Sequence, residues 1–277
     1  MVDIIICATQ RCGSTMFIED MFNTGQLGRP EEYFLPWKQG SWEIRTMAAL
    51  ARMRDKATTD NGIFAAKIMA DQLAGVEWCL GKTRVRTDLR GDFPRFRATF
   101  KDAVWVRLRR EDMILQAISR EMAKQSHAPH ATKSGEDDHF AGGVKPGLRA
   151  DYNAALVFRG QVLQQRFQDI LRENFVWDRF FASHEITPLE FTYEQVAADA
   201  DLSHLDQIAQ RAGVAGAMVK LPRKLVKLGN DVNDTWKSRF LAEGLDHARR
   251  LPRMKVCSEK KRGVSHPPHP RGVFVLK

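Results

Sequence analysis

The sequence predicts an α/β fold in which helices flank a parallel β-sheet, and two strand–turn–helix units support this prediction. The first unit opens on the apolar run Ile4–Ala8 and the second on Ala103–Val106. Short apolar runs without polar alternation are typical of strands that are buried on both faces. Because strands that alternate with helices form parallel sheets, a ligand site is expected at the carboxyl ends of these strands.

The first unit continues through a turn, Thr9–Gly13, into a helix that begins at Ser14. Phe17 and Met21 are about one helical turn apart and therefore share a face of that helix. Gly25 is typical of a helix end. The pattern is that of the opening of a βαβ unit.

The second unit continues through a turn, Arg107–Glu111, into a helix from about Asp112. Ile114, Ile118 and Met122 follow at helical spacing and predict one buried face. Similar patterns predict three further elements, namely strands at Ile63–Met69 and Thr187–Phe191 and a long helix from Tyr152 to about Arg172.

The chain has 277 residues and is expected to form a single domain over residues 1–252, followed by a basic tail over residues 253–277. A stretch at about 127–149 has no periodicity and predicts a mobile loop over a site. No apolar run is long enough to span a membrane, and the start of the chain lacks the features of a secretion signal. Four widely spaced cysteines are typical of the reducing cytoplasm and predict neither a disulfide framework nor a metal site.

Basic residues outnumber acidic ones, 43 to 34, which gives a formal net charge of +9. Such an excess predicts an anionic partner and leaves nucleic acid, a membrane surface and a phosphorylated small molecule open. The apolar share of 43% is typical of a globular protein. Composition therefore excludes a disordered chain but does not select the partner.

The turn Gln10–Thr15 follows a strand and opens a helix, which is the context of a phosphate-binding loop. Gly13 allows close approach of the backbone, and Arg11 is the only cation of the turn. A nucleotide triphosphate loop has the pattern GxxxxGK[ST], whereas this chain has Ala8 for the first Gly and Ser14 for the Lys. The turn therefore favours one phosphate with a neighbouring anionic group over ATP or GTP. The alternative is a tight turn in which Ser14 caps the helix.

Arg110 and Ser119 form a second candidate half-site at the end of the next strand and in the following helix. An arginine binds a phosphate with two parallel hydrogen bonds, and a serine hydroxyl adds another donor. The alternative is that Arg107, Arg109 and Arg110 are a solvated basic edge.

Together, three segments resemble the bacterial carbohydrate sulfotransferases of the trehalose 2-sulfotransferase type. These segments are Gln10–Thr15, Gly28–Phe34 and Arg110–Ser119, and they match in order and spacing over roughly the first 125 residues. Weaker similarity continues at Ala66–Met69, Phe191–Glu194 and Asn230–Phe240.

The resemblance implies a P-loop-like sulfotransferase fold and the donor 3′-phosphoadenosine 5′-phosphosulfate, with no requirement for a metal. It implies that Arg11 and the turn Cys12-Gly13-Ser14-Thr15 hold the 5′-phosphosulfate, where Cys12 replaces a serine that is usual in the family. Arg110 and Ser119 would hold the 3′-phosphate. Arg11 would also stabilise charge during transfer, and Glu32 matches the general base proposed for the family. A C-terminal arginine of the family has no clear counterpart, and Lys227 is the nearest cation.

Other roles for these residues stay open at this point. Glu32 is alternatively a surface acid at the start of a helix after Pro30, and His127 or His130 is a rival base. Cys12 is alternatively a redox-sensitive thiol, because a helix N-terminus lowers a thiol pKa.

Two other functions compete with sulfuryl transfer to a carbohydrate or glycolipid. A nucleotide kinase requires ATP with magnesium, and a basic nucleic-acid-binding protein would explain the net charge of +9. The chain lacks a recognisable nucleic-acid-binding motif, so no specific nucleic acid is expected. Aromatic residues between Tyr33 and Trp42 are either core residues or a surface that stacks on sugar rings. A homodimer is compatible with the resemblance.

Overall fold

The computed structural model describes residues 2–39, 47–81, 92–127, 130–132, 144–146, 155–225 and 228–250. Its central sheet has four parallel strands in the order β2–β1–β3–β6. Their bounds are Val2–Ala8 for β1, Ile63–Met69 for β2, Val104–Arg109 for β3 and Leu189–Thr192 for β6. Two short strands, β4 (His130–Thr132) and β5 (Val144–Pro146), form a separate parallel pair.

Helices precede or follow the strands of the central sheet. In chain order they are α1 Ser14–Asn23, α2 Met47–Ala57, α3 Leu73–Cys79, α4 Pro94–Thr99, α5 Met113–Ser126, α6 Gly160–Ser183, α7 Tyr193–Ala198, α8 Ser203–Ala212 and α9 Asp231–Arg250. Two 3₁₀ turns, Leu35–Gln39 and Ala70–Gln72, lie before α2 and directly after β2.

The core lies on both faces of the sheet because alternate residues of β1 point to opposite sides. Ile5 and Cys7 face a cluster that is rich in aromatic side chains from α4 and α6, including Phe96 and Trp177. Ile4, Ile6 and Ala8 face a second cluster that includes residues of α1 and α8. Two-sided burial explains why residues 4–8 of β1 form a continuous apolar run.

The predicted fold class, a parallel sheet with flanking helices, is confirmed. The strand predicted at Ile63–Met69 has the same bounds in the structure, and the predicted helix from about Asp112 begins one residue later. The registers Val2↔Ile63 and Ile4↔Val104 place β1 between β2 and β3. The sheet therefore brings the carboxyl ends of the predicted strands to one edge.

The predicted turn at Arg107–Glu111 is wrong in its first half, because β3 continues to Arg109. Arg107 is 4% exposed and binds Asp178 of α6 at 2.5 Å. A buried arginine is tolerated in a strand when a carboxylate compensates its charge. The interpretation of Arg107 as part of a solvated edge is therefore also wrong.

The long helix predicted from Tyr152 to about Arg172 is displaced toward the C-terminus. Tyr152 lies outside the described residues, residues 155–159 are not helical, and α6 extends over Gly160–Ser183. Its last turns bury Trp177, Phe180 and Phe181 against the sheet, and this packing supports the extension.

The stretch predicted as a loop at about 127–149 contains β4 and β5 among its described residues. Most of it, and the predicted tail at 253–277 with the domain boundary at 252, lie outside the described residues. Of the described helices, none has the length and apolar character that crossing a membrane requires.

Candidate functional site

The strand order creates a topological switch point between β1 and β3. From β1 the chain crosses to β2 on one side, whereas β3 pairs with β1 on the other side. Ligands of open α/β sheets bind outside the carboxyl ends of the strands at such a point. The two segments that leave the sheet there, residues 9–13 and 110–112, are those that the sequence singles out.

The loop after β1 leads into α1 through a glycine. Arg11 and Gly13 have positive φ angles of 66° and 87°, and the Cys12 N–H donates to the Thr9 carbonyl at 3.3 Å. Gly13 occupies the N-cap position, where it has no side chain to cap α1, and Ser14 is the first residue of the helix. The interpretation of Ser14 as an N-cap is therefore wrong. The amide groups and the dipole of a helix start favour an anion.

Residues from the two halves of the candidate site meet at this loop. The Arg11 Nε donates to the Ser119 Oγ of α5 at 3.1 Å, although 108 residues separate them. Gln116, one turn earlier on α5, donates from Nε2 to the Thr9 Oγ1 and to the Gln10 carbonyl, both at 2.8 Å. The fully buried Gln116 thereby holds the loop against α5. It was not assigned a role from the sequence, although it lies inside the Arg110–Ser119 segment.

Tyr193 joins the loop to Arg110. The Arg110 guanidinium lies 4.7 Å from the centre of the Tyr193 ring. A Cβ atom on Gly13 would stand 2.4 Å from the Tyr193 Cδ2, so the ring covers the glycine. The Arg110 Nε is buried and has no hydrogen-bond partner among the described residues, and the Glu194 Oε1 is 3.8 Å from it. This cation is therefore held in orientation by an aromatic ring and keeps unused hydrogen-bonding capacity.

The start of α5 differs from that of α1 because carboxylates occupy it. Glu194 accepts hydrogen bonds from the N–H groups of Glu111 at 3.0 Å and Asp112 at 3.3 Å. Asp112 is the N-cap, accepting from the Leu115 N–H at 2.9 Å, and also binds Lys237 of α9 at 2.5 Å. Burial raises the pKa of Asp112, but these hydrogen bonds and the Lys237 charge outweigh it and leave the pKa lowered. Protein groups thus occupy this helix end.

Glu32 lies in an extended segment that runs beside β2. The Lys67 N–H of β2 donates to the Glu31 carbonyl at 3.0 Å, and the first helical turn after Pro30 begins only at Leu35. Gly28, with a φ angle of 78°, is pressed against β2, where a Cβ would lie 2.4 Å from the Ala65 Cβ. The alternative that Glu32 starts a helix after Pro30 is therefore wrong.

The Glu32 carboxylate is held at the carboxyl end of β2. Its Oε2 lies 3.3 Å from the Lys67 Nζ, and its Oε1 accepts from the Gln72 Nε2 at 2.6 Å. The Gln72 Oε1 in turn accepts from the Met69 N–H at 3.1 Å. The side chains of Lys67 and Glu32 are only 5% and 14% exposed, so the carboxylate has one compensating charge and one fixed orientation. Lys67 was missed from the sequence, although a lone charge within the apolar run Ile63–Met69 is a signal for it.

Cys12 is a fully buried thiol. Burial raises its pKa, and hydrogen bonds in the turn and the Lys67 charge offset this only in part. The direction is opposite to that expected from a helix N-terminus alone, so the hypothesis of an activated, redox-sensitive thiol lacks its physical basis.

The described residues give no support to His127 or His130 as the base, or to Lys227 as a donor-binding cation. His127 ends α5 with a φ angle of 53° and is exposed. The side chain of His130 and the whole of Lys227 lie outside the described residues.

The aromatic residues after Glu32 are largely core residues. Phe34 packs edge-on against Trp37, Phe96 and Phe100 at centroid distances of 5.6–6.1 Å. The Tyr33 hydroxyl donates to the Arg29 carbonyl at 2.8 Å, and Trp42 lies outside the described residues. A sugar-stacking role is therefore wrong for Phe34 and Trp37. Across the described part of the chain, no three His, Cys, Asp or Glu side chains form a metal-binding group.

The chain is similar to known sulfotransferases. A family model described as Stf0 sulphotransferase matches residues 3–243. The trehalose 2-sulfotransferase of Mycobacterium tuberculosis (strain ATCC 35801 / TMC 107 / Erdman) is 24% identical over 276 residues, which cover 86% of this chain and 94% of that protein. A solved sulfotransferase structure from Alicyclobacillus acidocaldarius is similar with a TM-score of 0.47 and 12% identity, covering 89% of this chain and 96% of that one.

Proposed function

This chain belongs to the Stf0 sulphotransferase family, and we propose that it transfers the sulfuryl group of 3′-phosphoadenosine 5′-phosphosulfate to a hydroxyl of a carbohydrate or glycolipid. The observation that supports this most is the start of α1 behind Gly13, which lies beside a second half-site that contains Arg110 and Ser119. A donor with phosphates at both the 3′ and 5′ positions matches two half-sites at one switch point.

The residues present are suited to such a donor. Gly13 has no Cβ and a φ angle of 87°, so the loop can turn into α1 while the Tyr193 ring packs against the glycine. The buried Nε of Arg110, which has no hydrogen-bond partner among the described residues, offers a charge-assisted hydrogen bond to the second phosphate. In this proposal Arg11 and the turn from Cys12 to Thr15 bind the 5′-phosphosulfate, and Arg110 with Ser119 binds the 3′-phosphate.

The loop is less suited to ATP. A triphosphate loop uses a lysine directly after its last glycine to reach the β- and γ-phosphates, whereas Ser14 follows Gly13 in this chain. A nucleotide kinase is therefore the weaker candidate. Nucleic-acid binding lacks a supporting contact among the described residues, since the buried cations Arg107 and Lys67 are paired with carboxylates.

The proposed chemistry assigns Glu32 as the general base. The acceptor oxygen attacks sulfur, the bond between sulfur and the 5′-phosphate oxygen breaks, and the acceptor proton passes to the Glu32 carboxylate. Gln72 fixes the orientation of that carboxylate, and Lys67 compensates its negative charge. Arg11 and the loop amides stabilise the charge that develops on the leaving phosphate.

The acceptor class is proposed from the family relative, whose name states that it acts on trehalose. A carbohydrate offers several hydroxyl groups of similar acidity, so position rather than acidity selects the one that reacts. We do not assign trehalose itself, because identity to that relative is 24%.

A calorimetric titration tests the donor assignment. 3′-Phosphoadenosine 5′-phosphate is expected to bind at least about 100-fold more tightly than ATP, because two charge-assisted hydrogen bonds at the second half-site distinguish them. ATP binding that requires magnesium would favour a kinase. Tight binding of a DNA oligomer that weakens steeply with salt would favour a nucleic-acid-binding protein.

The variant Glu32→Gln tests the base assignment. Transfer of radiolabelled sulfate to a mixed carbohydrate panel is expected to fall about 100-fold or more, while affinity for 3′-phosphoadenosine 5′-phosphate stays unchanged. Glu31→Gln is the matched control, since it removes the charge of the adjacent carboxylate and leaves the hydrogen bond from the Lys67 N–H to the Glu31 carbonyl in place. Near-normal transfer by Glu32→Gln would remove Glu32 from the mechanism.

A further inference from the structure

The 3₁₀ turn Ala70–Gln72 contacts both sides of the proposed reaction. Gln72 holds the Glu32 carboxylate at 2.6 Å. Its neighbour Asp71 binds the donor-side loop, since the Asp71 Oδ2 accepts from the Gln10 Nε2 at 3.1 Å. Two adjacent residues of one turn therefore hold the loop and the candidate base.

Asp71 also binds the segment that follows Glu32. The same Oδ2 atom accepts from the Lys38 Nζ at 2.5 Å. Lys38 belongs to the 3₁₀ turn Leu35–Gln39, which is joined to Glu32 by the hydrogen bond from the Leu35 N–H to the Glu32 carbonyl at 3.0 Å. One carboxylate oxygen thus links Gln10 with Lys38, which lie 28 residues apart in sequence.

The segment around Lys38 is itself rigidly packed. A Cβ on Gly75 of α3 would lie 2.4 Å from the carbonyl oxygens of both Trp37 and Lys38, so the helix and the turn are in close backbone contact. Trp37 is buried in the aromatic core. The packed turn Leu35–Gln39 therefore cannot shift to compensate for a displacement at Asp71. Such a displacement would instead change the distance between this turn and the loop after β1.

The surroundings show that Asp71 is kept at an electrostatic cost. Its Oδ1 is buried and has no hydrogen-bond partner among the described residues. The pKa of Glu173 on α6 is raised, mainly because the side chain is buried and also because of the charge of Asp71. The charge and hydrogen bond of Arg120, at 2.8 Å, offset this rise only in part. A side chain that only stabilised the fold would not be expected to leave a buried oxygen unpaired beside a second carboxylate.

We propose that Asp71 is a positioning residue that aligns the donor loop with Glu32 for in-line transfer. The inference rests on the proposed function, because it assigns the donor to the loop and the base to Glu32. Asp71 acts through Gln10 and Lys38 and does not itself touch the reacting atoms. A misplacement of about 1 Å between reacting groups lowers rates by about 100-fold, which sets the size of the effect.

The test compares Asp71→Ala with Asp71→Asn and with a control ion pair. Asp71→Ala is expected to lower kcat about 10- to 100-fold while affinity for 3′-phosphoadenosine 5′-phosphate changes less than about threefold. Asp71→Asn keeps a carbonyl oxygen that accepts from Gln10 and Lys38, and should restore most of kcat. Asp3→Ala removes another carboxylate–cation pair, with Arg54 at 2.6 Å at the amino end of β1, and should leave kcat unchanged. An unchanged kcat in Asp71→Ala, or an equal loss in Asp3→Ala, would overturn the proposal.

A second readout does not depend on sulfuryl transfer. Hydrogen–deuterium exchange in Asp71→Ala is expected to accelerate both at residues 9–13 and at residues 33–39, whereas Asp3→Ala accelerates neither segment. Acceleration of only one segment would show that Asp71 does not link them. If the wild-type protein transfers no sulfate, the proposed function fails, and this exchange pattern alone decides whether Asp71 couples the two segments.

Discussion

The helices α1 and α5 both begin at the switch point, yet their first turns have opposite electrostatic environments. The N-cap of α1 is Gly13, which has no side chain to cap the helix. The start of α5 is capped by Asp112, and Glu194 accepts from two further backbone N–H groups there. The dipole of α5 is thus already compensated by protein carboxylates, whereas that of α1 favours an external anion.

This difference indicates two modes of recognition in one site. The α1 unit offers backbone groups, which bind a phosphate closely but need a glycine for access. The α5 unit offers the side chains of Arg110 and Ser119, while backbone N–H groups at its start donate to carboxylates of the protein. Changes at the two helix starts should therefore have different consequences.

Gly13→Ala should have the largest effect on affinity, because it changes the backbone at the start of α1 that is proposed to bind the 5′-phosphate. The φ angle of 87° is strained for alanine, and the added Cβ would lie 2.4 Å from the Tyr193 ring. Affinity for 3′-phosphoadenosine 5′-phosphate, measured by calorimetry, should fall at least about 100-fold.

Gly25→Ala is the control for backbone strain. Gly25 has a φ angle of 65° just beyond the other end of α1, and nothing lies within 4 Å of an added Cβ. The variant should lower the free energy of unfolding by about 1–2 kcal/mol and leave affinity unchanged. Equal losses of affinity in the two variants would break the comparison.

Arg110→Ala should have the next largest effect, because it removes the side-chain mode at the start of α5. Affinity for the 3′,5′-bisphosphate should fall about 10- to 100-fold, whereas an analogue that lacks the 3′-phosphate should bind as before. Arg109→Ala is the control, since the Arg109 side chain is 51% exposed and its partner among the described residues is Glu190 at 3.6 Å. Equal weakening of both ligands would remove Arg110 from 3′-phosphate recognition.

Asp112→Ala should affect the fold more than the ligand. Loss of the N-cap is expected to lower the free energy of unfolding, measured in urea, by about 1 kcal/mol. Affinity for the bisphosphate should change less than about threefold, because the backbone of α5 does not bind it in this proposal. A loss of affinity comparable to that of Gly13→Ala would show that both helix starts bind the ligand.

The smallest effect is the pH dependence of the Asp112 contribution. Its pKa is lowered in the folded protein, so the stability that it contributes is present above its unfolded pKa of about 3.9 and is lost as the pH falls through the folded value. Asn at position 112 still caps the helix but carries no charge. The stability difference between the wild-type protein and Asp112→Asn should therefore shrink as the pH is lowered from 7 toward 3, and a constant difference would contradict the assignment.

The parts of the fold that the sequence predicts well depend on local patterns. β1 and β2 are mainly apolar, each with one charged residue, and the start of α5 follows from a capping aspartate before an apolar helical face. The bounds of α6 were predicted less well, because only its packing against the aromatic core shows where the helix continues. Arg107 was misplaced for the same reason, since its partner Asp178 is 71 residues away.

In the candidate site, too, local features could be predicted from the sequence, whereas contacts between distant residues could not. The open helix start at Gly13 follows from adjacent residues, because φ angles and helix caps depend on short-range sterics and hydrogen bonds. The contacts of Glu32 with Lys67, of Arg11 with Ser119 and of Asp71 with Gln10 join residues 35–108 positions apart, and require the strand order β2–β1–β3. Local sequence thus specifies the shape of a turn that is suited to an anion. Which charged and polar groups surround that turn depends on which strand ends become neighbours, and spacing along the chain does not encode this.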